Sequence, residues 1–192
     1  MLGLIIGAVL AIVLLIIVAA IIFTYNHLVL LRARIENAWS QIDVQLKRRI
    51  DLIPNLIETV KGYAKFEKSV LMEVTNARAS VLGAKNPKES GVANSALTGA
   101  LTNLFAVAES YPTLKANENF KALQEELSST ENKIAYSRQF YNDSVMIWNS
   151  TVLQFPTNII AGIVGMAKQK EYFGIAESER GVVKADFSDL SK

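Results

Sequence analysis

The densest run of groups able to do chemistry is Asp43-Val44-Gln45-Leu46-Lys47-Arg48-Arg49-Ile50-Asp51. Consecutive cations on a helix can hold a phosphate or a lipid head group. They can equally serve ion pairs between helices. Residues 32–68 carry eight cations (Arg32, Arg34, Lys47, Arg48, Arg49, Lys61, Lys65, Lys68) against five carboxylates. Residues 117–143 carry five carboxylates (Glu118, Glu125, Glu126, Glu131, Asp143) against three cations. This complementarity in sign explains the run without a ligand and nominates Glu131 or Glu125 as partners of Arg48 and Arg49. Asp43 and Asp51 are eight positions apart, on one helix face at about 12 Å, too far to share a proton. Asn142 and Asn149 are seven apart. They are either buried amides that fix helix register or part of a polar face shared with Arg138. Asp43, Arg48, Arg49, Asp51, Glu131, Arg138 and Asn142 together make a candidate inter-helix polar network.

Composition excludes much else. With no cysteine there is no disulfide scaffold, thiol nucleophile, iron–sulfur cluster or thiolate zinc site. The single histidine, His27, excludes His-rich metal sites and the HExxH pattern. The serines have no partner base, and no phosphate-binding loop is present. The expectation is a non-enzyme with no metal and no cofactor. A net charge of +2 is too small to point to nucleic acid. Tyr63, Tyr111, Tyr136 and Tyr141 could form a binding surface, while Trp39 and Trp148 fall near inward helix faces.

Residues 2–23 run for 22 positions without a charged side chain. As a helix they span roughly 33 Å, the thickness of a hydrocarbon core. No Lys or Arg precedes them, which argues for a retained transmembrane helix over a cleaved signal peptide. Gly3, Gly7 and Ala11 form a small-xxx-small row through which two such helices could meet. His27, Arg32 and Arg34 follow the span, so the positive-inside bias places the bulk domain in the cytoplasm.

Apolar residues then recur at steps of three or four: Leu28, Leu31, Ile35, Ala38, Ile42, Leu46, Ile50, Ile53, Ile57 and Val60. This predicts a long helix nearly continuous with the span, with a soft joint at residues 24–26 and a kink at Pro54. Further helices are predicted over residues 66–82, from an Asn86-Pro87 cap to about 108, and over 117–155. The fold class is all-α, an N-terminal transmembrane helix followed by an antiparallel four-helix bundle. The domains are residues 1–24, 25–156 and 157–192, the last an apolar short helix and an irregular tail. Up-down topology places residues 155–166 beside the membrane.

Two blocks carry a resemblance. One is Ala38-Trp39-Ser40-Gln41-Ile42-Asp43-Val44-Gln45-Leu46-Lys47-Arg48-Arg49 with Asp51-Leu52-Ile53-Pro54-Asn55-Leu56 and Val60-Lys61-Gly62-Tyr63. The other is Tyr111-Pro112, Leu114-Lys115-Ala116-Asn117, Thr130-Glu131-Asn132-Lys133-Ile134-Ala135, Arg138, Tyr141-Asn142-Asp143 and Phe155-Pro156. In this order they resemble the LemA family over most of residues 25–175. The resemblance implies one N-terminal membrane helix, an antiparallel helical bundle and no established enzymatic activity.

The expected function is a membrane-anchored, non-enzymatic scaffold that forms homo-oligomers. The alternative is an adaptor for a membrane enzyme such as a protease or transporter. The expected partners are a second copy of the chain, the lipid bilayer and, on the alternative, another membrane protein. Ile159, Ile160, Ile163 and Val164, on one side of a short helix, join Gly3, Gly7 and Ala11 as candidate oligomer contacts. An apolar patch of that kind rarely faces water on a monomer.

Overall fold

The structure, a computed structural model, describes residues 1–63 and 66–174. It is all-helical, with no strand among the described residues. The elements are α1 (Leu2–Lys61), α2 (Lys68–Gly83), α3 (Pro87–Ala108), α4 (Pro112–Lys115), α5 (Glu118–Leu153) and α6 (Thr157–Ile163). The tail beyond Gly174, part of the expected third domain, lies outside the described residues. The helices group into two units, to each of which α1 and α5 contribute a part.

The first unit holds residues 1–45 and 132–172. The chain lies almost wholly exposed up to residue 27, and this part of α1 is long and apolar enough to cross a membrane. That half of α1 is a candidate membrane span by length and composition. Burial starts abruptly at Leu28 and repeats at Leu31, Ile35, Ala38 and Ile42. Ile134, Tyr141, Val145, Trp148 and Val152 of α5 are buried with them. Arg34 lies over the Phe140 ring at 5.1 Å, and the Trp39 and Tyr141 rings meet edge to face at 5.5 Å. Further along α1, Asn37 to Gln45 line a groove with Lys133, Tyr136 and Ser137. Rising numbers in α1 therefore meet falling numbers in α5, and the two helices run antiparallel.

After α6 the chain doubles back along α5 in extended form. Trp148 Nε1 donates to the Lys168 carbonyl (3.0 Å) and the Tyr141 hydroxyl to the Glu171 carbonyl (2.9 Å). Asn149 pairs with both sides of Lys170: its Nδ2 donates to the carbonyl (3.0 Å) and its Oδ1 accepts from the amide (2.8 Å). These three α5 side chains satisfy backbone groups that have no helix or sheet of their own.

The second unit holds residues 46–131 and continues at Phe173 and Gly174. Leu46, Ile50, Ile53, Leu56 and Val60 of α1 are buried, as are Val70, Val74 and Val81 of α2. The inward face of α3 is Ala93, Leu97, Ala100, Leu104 and Ala108, with Leu101 beside it. α3 is apolar enough to pass as a second candidate span, but α2 packs along it and its inward face is core. α3 begins where the sequence predicts. Asn86 Oδ1 accepts from the Glu89 amide (2.9 Å), Pro87 occupies the first turn, and the Glu89 carboxylate accepts from the Lys85 amide (2.8 Å). Four residues on, Gly91 meets Gly174 backbone to backbone. A Cβ at Gly91 would lie 2.1 Å from the Gly174 carbonyl oxygen, so no larger residue fits there.

Several expectations change. α1 is one unbroken helix with no joint at residues 24–26, and it passes through Pro54. Leu56 rather than Ile57 completes the stripe, because adjacent apolar residues both satisfy a three-or-four spacing. α5 ends at Leu153, two residues short of the predicted limit, and Phe155 is exposed. The short α4 fills what was expected to be a plain turn.

Candidate functional site

The polar cluster with the strongest electrostatic consequences centres on Arg49, a charged side chain only 2% exposed. The α1 stripe carries it inward between Leu46 and Ile50 and Ile53, where it faces α3 and α5. Its Nη1 donates to Asn94 Oδ1 at 2.7 Å and to Thr98 Oγ1 at 3.1 Å. The same nitrogen lies 2.5 Å from Glu131 Oε2, while Glu131 Oε1 is 3.3 Å from the Thr98 hydroxyl. Neither Arg49 Nε nor Glu131 Oε2 completes an aligned hydrogen bond, so the pair is held by charge and proximity. Burial pulls the Arg49 guanidinium below its ordinary value, and the Glu131 charge opposes that pull. Four side chains from three helices thus share one charged centre.

The structure separates the remaining members of the expected network. Arg48 pairs with Glu126, the neighbour of the nominated Glu125, at an exposed position. Asp51 is held by Lys47 within α1 at 2.5 Å, a local i,i+4 pair. Asp43 is exposed and joins no ion pair among the described residues. Arg138 and Asn142 are half-buried in the other unit, where Asn142 has a partner of its own. Asn149 binds the Lys170 peptide instead of fixing register between helices. Sequence reasoning missed Asn94 and Thr98. Their four-residue spacing, each next to an inward-facing residue (Ala93, Leu97), is the signal that could have found them.

Of the candidate oligomer contacts, Gly3, Gly7 and Ala11 lie on open helix surface. The apolar group on α6 divides. Ile160 is 8% exposed and Val164 half-buried, so Ile160 packs against its own chain. The reason is geometric: adjacent helical residues stand about 100° apart, so residues 160 and 164 share one face and residues 159 and 163 another. Ile159 and Ile163 point outward.

Tyr141 carries the other marked shift. Burial, and then the nearby Glu171 charge, push its phenol up to about 12. The protonated form is the one that fits, so its contribution is complete below pH ~10 and is lost as pH rises through ~12. Elsewhere in the second unit, the Tyr63 hydroxyl lies 3.4 Å from the Thr113 carbonyl, and the Phe66 and Tyr111 rings stand 5.2 Å apart. Beside them is a groove of about 590 Å³ lined by Ile57, Lys61, Phe66, Lys68, Leu71 and Met72, among others. The described residues hold no cluster of side chains suited to a metal ion.

Residues 38–187 match the sequence profile of the LemA family. The chain belongs to the LemA family. Among curated relatives it is similar to Magnetosome protein MamQ 1 of Paramagnetospirillum magneticum and to MamQ of Magnetospirillum gryphiswaldense. It is 26% identical to each, over 81% of this chain and 66% of theirs. It is also similar to Protein LemA of Metamycoplasma hominis, 29% identical over 86% of this chain and 74% of that one. The chain therefore spans just under two thirds of the length of the MamQ relatives. The matched region contains Arg49, Asn94, Thr98, Glu131 and the α5 residues that bind the returning segment.

Proposed function

We propose that this LemA-family chain is a membrane-anchored helical scaffold that works by self-association rather than by catalysis. The observation that carries the reading is the change of character along α1. Residues 1–27 are exposed apolar surface, and from Leu28 onward the same unbroken helix is packed core. A helix of that kind transmits position and orientation from the bilayer to a folded body without a hinge. Arg32 and Arg34 just past the span support a cytoplasmic body. The open row of Gly3, Gly7 and Ala11 supports a second copy as partner. Cross-linking in native membranes followed by size analysis tests the reading. Discrete multiples of the 21.1 kDa chain are expected, and a strictly monomeric species overturns it.

A second reading, an adaptor for another membrane protein, is favoured by the groove beside Tyr63 and Phe66. It combines an apolar floor with the cations Lys61 and Lys68, a combination suited to an acidic, apolar peptide. Substitutions at Tyr63 or Tyr111 that release a co-purifying membrane protein would favour it over self-association.

A further inference from the structure

We propose that the turn before α6 and the outer face of α6 form a second membrane contact, with Phe155, Ile159 and Ile163 seated in the lipid–water interface where α1 leaves the bilayer. The inference rests on the reading of residues 2–23 as a membrane span.

Registration between α1 and α5 fixes the level of α6. Trp39 packs on Tyr141, and the two helices run antiparallel. Twelve residues on from Tyr141 is Leu153, the end of α5, and twelve back from Trp39 is His27. Each path rises roughly 18 Å. The end of α5 therefore lies beside residue 27, a few residues past the last apolar position of the span. Burial agrees independently. Leu28 is 0% exposed, and among residues 1–27 Thr24 alone is partly covered. At the same level Val152 near the end of α5 and Ile160 and Ala161 of α6 are buried as well. The inner face of α6 thus closes the unit at the level of residues 24–28.

Its outer face is the reverse. Phe155 is 80% exposed, Ile163 79% and Ile159 55%, and Leu153 beside them is exposed as well. No Lys, Arg, Asp or Glu occurs from residue 144 to 167; the next charge is Lys168, where the chain turns back along α5. A short helix with one packed face and one apolar outer face, at the depth where a hydrocarbon span ends, has the pattern of an interfacial helix. Continuity with the span of α1 selects lipid over a second copy, because the patch and the span meet at one level and would enter the same medium. The polar residues Thr157 and Asn158 remain available to head groups.

Because the chain has no cysteine, single-cysteine variants can be labelled without background. The test is a nitroxide attached in Phe155→Cys, Ile159→Cys or Ile163→Cys of the full chain in phosphatidylcholine–phosphatidylglycerol liposomes. Collision with oxygen, which concentrates in lipid, is compared with collision with a water-soluble nickel chelate. Ile12→Cys serves as the in-span reference, and Tyr136→Cys, at an exposed aromatic in the same unit, as the aqueous one. The expected result is a nickel-to-oxygen ratio at 155, 159 and 163 several-fold below that at 136 and approaching that at 12. Nickel access at 163 equal to that at 136 places the face in water and overturns the proposal. Exclusion of both reagents with spin–spin broadening places it against a second copy and also overturns it. If position 12 is itself open to nickel, the membrane span fails and the proposal falls with it. If position 12 is shielded and 163 is not, the span stands and this inference alone fails. All three α6-region positions are exposed, so labelling should leave the circular dichroism unchanged.

Discussion

Removing Glu131 would leave Arg49 as a buried cation with only neutral partners. Breaking a buried pair costs about 3–5 kcal/mol, and because Glu131 keeps 35% of its side chain in water the low end, about 3 kcal/mol, applies. Removing Glu126 from exposed Arg48 should cost at most about 1 kcal/mol. Thermal melts of Glu131→Ala and Glu126→Ala should therefore separate clearly, and equal melting temperatures would show that Arg49 does not depend on its carboxylate. The Arg49–Glu131 pairing was legible from sign complementarity between the two long helices. What sequence could not show is that Lys47 would take Asp51 for itself, because a local i,i+4 partner competes with any distant one. Asn94 and Thr98 were hidden for a different reason: uncharged residues on a small-residue face give no signal until a charge is known to point at them.

Pro54 shows how an element can absorb a local defect. Proline has no amide hydrogen, so within α1 the carbonyl of Ile50 loses the donor that residue 54 would normally supply. Arg78 of α2 takes its place, its Nε donating to the Ile50 carbonyl at 3.1 Å. A side chain from a neighbouring helix thus completes the ladder of α1 and ties α2 to it. Arg78→Ala should cost about 1–3 kcal/mol by leaving a buried acceptor unsatisfied. In Pro54→Ala, which restores the amide, the same Arg78 change should cost much less. A double-mutant cycle followed by denaturant unfolding measures the difference, and additive effects would show that the two positions are not coupled. The spacing of apolar residues predicted both the length of α1 and a disturbance at Pro54. It could not predict the compensating donor to the Ile50 carbonyl, which lies 28 residues away in sequence.

At the scale of the whole chain, hydropathy and periodicity gave the helices and their inward faces, and the family resemblance agrees with the sequence-profile match. They did not give the grouping of helices, since α1 and α5 each contribute to two units. A stripe says which face is buried but not which neighbour covers it. The same limit applies to Ile160, which packs inward while Ile159 does not, a difference spacing could not show without knowing where the body of the protein lay. Self-association belongs to this scale, and the N-terminal glycines allow it to be tested without touching the packed body. A Cβ at Gly3 or Gly7 meets nothing within 4 Å in the chain itself, so leucine at either position has room as far as this chain is concerned. Any effect of Gly3→Leu with Gly7→Leu must then come from outside the protomer. If the two glycines let neighbouring spans approach, losing a contact worth ~1.4 kcal/mol lowers association about tenfold. Cross-linked multimers in membranes should fall accordingly, while helicity and membrane retention stay at wild-type levels. Unchanged multimers would move the self-contact away from this row, and loss of membrane retention would mean that the substitutions act on insertion instead.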